Sequence, residues 1–219
     1  MFRGALRIGF LLAGSATMGT VAGAQVPGAP VLQNAFANPG LVIAANFAGG
    51  SGQSYYGAAA GWGLGGGKLM LSGGAGAEHG NNATRGAYGG RAAATVWSSF
   101  SGSLAAAAFA GVGGAPRTRS NGIVTNPATL QIPAGVSFGY RRAFGTTRGV
   151  SAYVSPMYRW ARTSTDIETT TSSNFRVAVG LDIGLTASFG VTLGGEFGGN
   201  NGGGSGGLFG AALSFVPGR

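Results

Sequence analysis

Apolar residues alternate with small or polar residues along most of the chain after residue 40. From residue 175 the odd positions are apolar and the even positions are small or polar: Phe175, Val177, Val179, Leu181, Ile183 and Leu185 against Arg176, Ala178, Gly180, Asp182, Gly184 and Thr186. A period of two places the two sets on opposite faces of a β-strand. Glycine and other small residues recur on one face, which is typical of a barrel with an apolar exterior in lipid and a polar interior.

The alternation predicts a regular series of strands. They lie at approximately 41–49, 53–63, 68–78, 87–99, 103–112, 130–142, 149–161, 173–185, 189–199 and 206–216. These lengths suit tilted membrane strands of about 9–11 residues, and bacterial barrels usually have an even number of strands. The sequence therefore predicts an all-β, transmembrane, antiparallel up-and-down β-barrel of about ten strands, with eight or twelve as alternatives.

The same period assigns faces and connections. In the sixth strand, even positions from 130 to 140 should face outward and odd positions inward, and Pro133 should cause a bulge because it cannot donate to the ladder. In the seventh strand, even positions from 150 to 160 should face outward. Short connections at 64–67, 100–102, 143–148 and 186–188 are predicted to be periplasmic, and the longer ones at 79–86, 113–129 and 162–172 extracellular.

Outward aromatic residues fall into two predicted belts, because amphipathic rings prefer the interface between lipid and water. The extracellular belt would contain Tyr56, Tyr88, Tyr158, Trp160, Phe175, Phe197 and Phe209. The periplasmic belt would contain Trp62, Phe100, Tyr140, Phe189 and Phe215.

The N-terminus has the pattern of a secretory signal peptide. Arg3 and Arg7 precede an apolar run at 8–21, and a small-x-small site ends at Ala24. The run is about 14 residues, shorter than the ~20 that a spanning helix needs. We therefore expect a signal peptide at 1–24 that is cleaved after Ala24, an N-terminal extension at 25–40, a barrel at 41–216 and a C-terminal tail at 217–219.

Composition narrows the chemistry. Glycine is 46 of 219 residues and charged residues are 9%, whereas ordinary domains have about 7% glycine and roughly a quarter charged residues. The chain has no cysteine, so neither disulfides nor thiol chemistry is available. The formal net charge is +9, but the arginines are spread along the whole chain, so no nucleic-acid partner is expected.

Most inward-facing charge is predicted to meet in the lumen. The inward set is Lys68, Arg91, Arg141, Arg159, Arg176, Asp182 and Glu196. Hairpin pairing predicts a cluster of Arg159, Arg176 and Glu196 in the outer half, because charges away from water need partners. Two interpretations stay open: an electrostatic constriction that favours anions, and a structural network that fills a small barrel.

A second basic set lies in the predicted extracellular loops: Arg85, Arg117, Arg119 and Arg162. Guanidinium groups bind phosphate bidentately, so these residues are candidates for contacts with the phosphates of surface glycolipid. Solvated loop charge is the alternative.

An enzymatic role has little support in the sequence. His79 is the sole histidine, and its neighbour Glu78 should point to the opposite face of the strand. With one histidine and no cysteine, neither a catalytic site, a transition-metal site nor a cofactor site is expected. Glycine-rich runs such as 65–67 lack the phosphate-loop pattern and are predicted to be turns.

The last strand carries Gly210, Leu213 and Phe215 at spacings that resemble the assembly signal of bacterial outer-membrane barrels, although four residues follow Phe215. Together with the leader, the alternation and the belts, the chain resembles small outer-membrane β-barrel proteins of the OmpA/OmpX/opacity-protein-like group. The resemblance implies a bacterial outer-membrane location, with membrane lipid, glycolipid and the barrel-assembly machinery as partners. It implies a structural or surface-interaction role through the extracellular loops; the alternatives are a narrow, porin-like passive channel for small solutes or ions with slight anion preference, and an outer-rim enzyme. Neither the resemblance nor the composition predicts an oligomeric state.

Overall fold

The structure is a computed structural model that describes residues 34–36, 39–50, 53–80, 83–120, 123–145, 148–198 and 207–217. The predicted signal peptide at 1–24, most of the extension at 25–40 and the last two residues of the tail lie outside these ranges. No helix in the described ranges has the length and apolar character that a membrane crossing would require.

The described residues form twelve strands, of which ten build a closed barrel. The barrel strands are β1 (Gly40–Gly50), β2 (Gln53–Leu64), β3 (Leu69–Gly80), β4 (Ala83–Ser98), β5 (Leu104–Ala115), β8 (Ala128–Phe144), β9 (Arg148–Ser164), β10 (Thr169–Gly184), β11 (Phe189–Phe197) and β12 (Leu208–Phe215). Antiparallel pairing of β1 with β12, with Ile43 opposite Phe215, closes the ring. The predicted all-β barrel of ten antiparallel strands is therefore confirmed.

The predicted loops are shorter than expected at one end. We call the end with turns 65–68, 99–103 and 185–188 the lower end, and the other the upper end. At the upper end β3 runs to Gly80 and β9 to Ser164, so most of the predicted loops 79–86 and 162–172 is strand. The segment 113–129 holds a small hairpin of β6 (Thr118–Ser120) and β7 (Ile123–Asn126). Threonine is enriched in strands, and the threonines at 163 and 169–171 continue the β9–β10 pairing beyond the last apolar residues.

The two faces of each strand follow the predicted alternation. In β1, Val42, Ala44 and Ala48 are buried in the lumen, whereas Ile43 and Phe47 are exposed outside. In β8 and β9 the even positions predicted to face outward are the more exposed ones. Because the exposed face is apolar and the buried face is small or polar, the barrel has the reverse of a soluble protein's distribution.

The predicted bulge at Pro133 is wrong. Ala110 lies opposite Ala134 and Gly113 opposite Gln131, so the register of β5 against β8 is the same on both sides of Pro133. The proline is therefore accommodated without an inserted residue. A register shift occurs instead between Thr95 and Trp97 in β4.

Outward aromatic residues form two rows. Tyr158 lies opposite Phe175 in the upper row, and Phe189 and Phe215 stack in the lower row with ring centroids 5.0 Å apart. The outward positions from Phe175 in β10 to Leu185, which directly follows this strand, are apolar. At a rise of ~3.3 Å per residue and a tilt of ~40°, that stretch spans about 25 Å, the height of the apolar band in membrane barrels.

Large and small side chains complement each other across the lumen. The inward faces of β1 and β2 are mostly glycine and alanine, whereas β9 contributes the buried side chains of Tyr153 and Met157. The Tyr153 ring lies directly against the Cα of Gly180, its partner across the β9–β10 ladder. Alternation of bulky and tiny residues therefore fills the interior of this narrow barrel.

Gly180 provides a test of this packing. A Cβ at Gly180 would clash with the Tyr153 ring, so Gly180→Ala should lower the free energy of unfolding by about 1–3 kcal/mol. Gly184→Ala on the same strand is the matched control, because its Cβ would meet its nearest atoms, those of Gly149, at an ordinary 3.5 Å. Urea unfolding of the refolded variants measures both, and equal losses would contradict the packing argument.

Candidate functional site: the charged lumen

The upper half of the lumen contains an ion cluster on one carboxylate. Glu196 Oε1 is 3.0 Å from Arg159 Nη1 and also pairs with Arg176 Nε. Glu196 lies opposite Ala178 in β10, which brings it beside Arg176, and Arg159 projects inward from neighbouring β9. Alternation in three adjacent strands thus places the three charges together, in the arrangement expected from the sequence.

This cluster is almost completely shielded from solvent. The side chains of Glu196, Arg176 and Arg159 are 1%, 9% and 14% exposed. Burial of charge is costly unless the groups are paired, so the shared carboxylate offsets much of the desolvation of both guanidinium groups. One positive charge remains in excess in the cluster, and Arg159 Nη1 also contacts Gln131 Oε1 at 3.4 Å.

Arg91 occupies the lumen separately from this cluster. Its guanidinium lies 4.4 Å from the centroid of the Phe109 ring, a cation–π geometry. Phe109 in turn packs on Met157 and Ala178, the residue opposite Glu196. Arg91 Nε and Nη2 have no hydrogen-bond partner among the described residues. Arg91 forms no ion pair among the described residues. The Phe109 ring therefore positions its guanidinium group.

The lower half of the lumen is organised around Asp182. Thr192 Oγ1 donates to Asp182 Oδ1 at 2.5 Å, and Ser151 Oγ donates to Oδ2 at 3.1 Å. Asn34 Nδ2 donates to the same Oδ2, so the N-terminal extension reaches into the lumen. Sequence analysis missed this contact, because residues 34–36 carry neither strand alternation nor a motif.

Arg141 lies at the lower rim of the lumen. Its Nε donates to the carbonyl of Gly102 at 2.7 Å, and its guanidinium lies 4.7 Å from the centroid of the Phe36 ring. All six of the predicted lumen charges Arg91, Arg141, Arg159, Arg176, Asp182 and Glu196 therefore face inward, but only the three residues around Glu196 form ion pairs with one another.

Lys68 is not part of the lumen set. It ends the turn that follows β2, where its amide bonds to the carbonyl of Leu64 at 3.1 Å, and its side chain is exposed. Three glycines with positive φ precede it, which shifts the start of β3 to Leu69. The inward assignment of Lys68 is therefore wrong.

The prediction that Arg85 contacts glycolipid is wrong. Its Nη2 is 3.0 and 3.2 Å from the two carboxylate oxygens of Glu78, and its Nη1 binds the carbonyl of Pro127. Both Arg85 and Glu78 are buried, because β4 extends past the predicted loop and Arg85 occupies an inward position. Its guanidinium is thus unable to reach lipid.

The other predicted rim arginines lie at the upper end. Arg117 and Arg119 both pair with Asp166, which ties the start of the β6–β7 hairpin to the turn between β9 and β10. Arg117 Nη2 also donates to the carbonyl of Thr165 at 2.6 Å. Arg162 is exposed on the same face of β9 as Trp160, two residues above it.

The residues considered for catalysis or metal binding do not converge. His79 lies on the outer face and contacts Thr84 Oγ1 at 2.9 Å through Nδ1, whereas Glu78 faces the lumen. No group of three histidine, cysteine or acidic residues that could hold a metal ion occurs in the part of the chain that the structure describes.

The proposed assembly signal occupies the closing strand. Leu213 and Phe215 are exposed on the outer face of β12, and Gly210 occupies an inward position opposite Ala48 of β1. The apolar and aromatic members thus contribute to the lower part of the outer apolar band. Recognition by an assembly machinery stays a prediction.

The ion cluster generates a second test. Glu196→Gln should lower the free energy of unfolding by about 3–5 kcal/mol, because two buried guanidinium groups lose the carboxylate that both contact. Asp166→Asn is the control, since it also removes a carboxylate shared by two arginines but at a more exposed site, and should cost at most about 1 kcal/mol. Urea titration of both variants gives the comparison, and similar losses would contradict a structural role for Glu196.

No protein-family model and no curated protein matches the chain. The chain is similar to the N-terminal β-barrel domain of Pseudomonas aeruginosa OprF, with 10% sequence identity, 82% of this chain and 98% of that chain covered, and a TM-score of 0.37. It is also similar to Neisserial surface protein A, with 12% identity, 80% and 96% covered, and a TM-score of 0.39. Because these sequence identities and TM-scores are low, the fold is established by the strand pairing of this chain itself. Its described residues form a closed ten-stranded antiparallel β-barrel, the architecture implied by the resemblance to small outer-membrane barrels.

Proposed function

We propose that the protein is an integral β-barrel of the bacterial outer membrane whose closed interior makes it a rigid anchor for structures displayed at the upper end. The observation that carries this proposal is the burial of one wall of the lumen: Ser137, Ser155, Ala178 and Thr192 have zero exposure. These residues come from four adjacent strands, so a solvent path along that wall would have exposed at least some of them.

The outer surface supports a membrane location. Apolar side chains project from all ten barrel strands, and aromatic rows lie near both ends of the band. A continuous apolar exterior of this extent is unfavourable in water and favourable in hydrocarbon. The predicted signal peptide and the terminal strand motif are consistent with export and assembly.

The upper end supports a display role. Strands β9 and β10 continue six residues above the Tyr158–Phe175 pair, to Ser164 and Thr169. The Asp166 carboxylate holds Arg117 and Arg119, so the β6–β7 hairpin and the β9–β10 turn form one connected surface. Arg162 remains available for phosphate of surface glycolipid, because it is exposed just above the aromatic row.

A narrow, anion-favouring channel is the second candidate. The observation in its favour is the inward charge, in which arginines outnumber acids: Arg85, Arg91, Arg141, Arg159 and Arg176 against Glu78, Asp182 and Glu196. An excess of guanidinium groups favours anions in a pore. The ion pairs and stacking that hold these side chains make them better suited to filling the lumen than to lining a water path.

Membrane embedding is tested by a charge at mid-band. Leu181→Arg, on the outward face of β10, should cost about 2–4 kcal/mol of unfolding free energy in phosphatidylcholine vesicles. Thr171→Arg, on the same face above the aromatic row, should cost no more than about 1 kcal/mol. An equal effect at both positions would rule out the proposed depth of the apolar band.

Channel activity is tested by single-channel recording of the refolded protein in planar bilayers. We expect no discrete conducting steps, with insertion verified by the heat-dependent shift in gel mobility. Discrete steps with a reversal potential that favours chloride in a KCl gradient would instead support the channel, and Arg159→Ala should then reduce that preference.

A further inference from the structure

The lower mouth of the lumen is occupied by residues 34–36, which precede β1. Asn34, Ala35 and Phe36 are 4%, 1% and 6% exposed. Gly40 has a positive φ of 91° at the start of β1, a conformation that glycine adopts readily. Residues 34–36 thus lie inside the barrel, a few residues before β1 begins.

The polar side of this mouth matches the asparagine. Asn34 Nδ2 donates to Ser151 Oγ at 2.6 Å and to Asp182 Oδ2. Asn34 Oδ1 accepts the backbone N–H of Phe36 at 3.2 Å, which sets the conformation of the segment. A hydrogen bond to a buried carboxylate is stronger than one between neutral groups, so Asp182 is the principal polar anchor.

The apolar side matches the two residues that follow. Ala35 and Phe36 pack with Ala105 and Ala107 of β5. The Arg141 guanidinium covers the Phe36 ring, and Gly139 leaves room for the segment. A Cβ at Gly139 would lie only 2.8 Å from the Phe36 ring and 3.1 Å from Asn34 Oδ1.

From these contacts we infer that the lower mouth, formed by Asp182, Ser151, Gly139, Arg141, Ala105 and Ala107, is a peptide-binding site whose ligand is the chain's own Asn34-Ala35-Phe36 segment. The segment closes the periplasmic end of the barrel as a plug. Its ligand class is a short, bent peptide with a side-chain amide donor two residues before an aromatic ring. This site is separate from the Glu196 cluster above it.

The test exchanges the two polar partners. Asn34→Asp places a carboxylate against Asp182 and should release the plug. The double variant Asn34→Asp with Asp182→Asn restores complementary groups, because the amide introduced at position 182 can donate to the carboxylate introduced at position 34 and still accept from Thr192. Gly139→Ala changes the barrel wall and leaves the sequence of the segment unaltered. Its added Cβ should displace the plug.

The measurement is amide hydrogen exchange at Phe36, followed by NMR on the full chain refolded in detergent micelles. Exchange should be slow in the parent protein, at least about tenfold faster in Asn34→Asp and Gly139→Ala, and slow again in the double variant. Asn174→Asp, at the upper end, is the charge-matched control and should leave Phe36 unchanged. Fast exchange in the parent protein, or no change in Asn34→Asp, would overturn the inference.

The exchange rate of the Phe36 amide is independent of whether the barrel conducts ions. The Glu196 cluster lies above the plug, so plug release can occur in a silent barrel. A parent protein that conducts while its Phe36 amide is protected would contradict both the closed-lumen proposal and the closure of the lower end by the segment, whereas the binding of the segment in the lower mouth would be upheld.

Discussion

Closure of the sheet by the pairing of β1 with β12 is the constraint on which the other features depend. Ile43 lies opposite Phe215 and Gly49 opposite Phe209, so the first and last strands satisfy each other's backbone groups. In hydrocarbon an open sheet edge would leave N–H and C=O groups unpaired, at several kcal/mol each. Once the ring is closed, every strand has one face toward the exterior and one toward a narrow interior. The alternation of apolar residues with small or polar residues then decides which side chains lie on each face.

Charged side chains are concentrated in the interior, because the apolar outer surface has few favourable positions for charge. Inward arginines need partners, and the structure supplies three different kinds: a carboxylate for Arg159 and Arg176, aromatic rings for Arg91 and Arg141, and a backbone carbonyl for Arg141. These contacts fix the side chains and fill the space that small residues leave on the opposite wall. The same groups that could attract anions therefore close the lumen that we propose to be silent.

The two ends of the barrel differ in what covers them. At the upper end, Asp166 links the β6–β7 hairpin to the β9–β10 turn through two partly exposed ion pairs, which are weak and adjustable. At the lower end, Asn34 and Phe36 are buried against Asp182 and Arg141. The buried contacts at the lower end and the partly exposed ion pairs at the upper end are the features on which the proposed display role rests.

The sequence by itself predicted about ten strands, with eight or twelve as alternatives, and determined their faces and the meeting of Arg159, Arg176 and Glu196, because a period of two and hairpin pairing follow from local backbone geometry. It placed Arg85 and Lys68 wrongly, because strand ends depend on how far pairing continues and on turn conformation rather than on alternation. It gave no signal for Asn34, whose partners Ser151 and Asp182 lie 117 and 148 residues away. Only the tertiary structure decided that contact, since a short segment without periodicity gains its position entirely from the cavity that receives it.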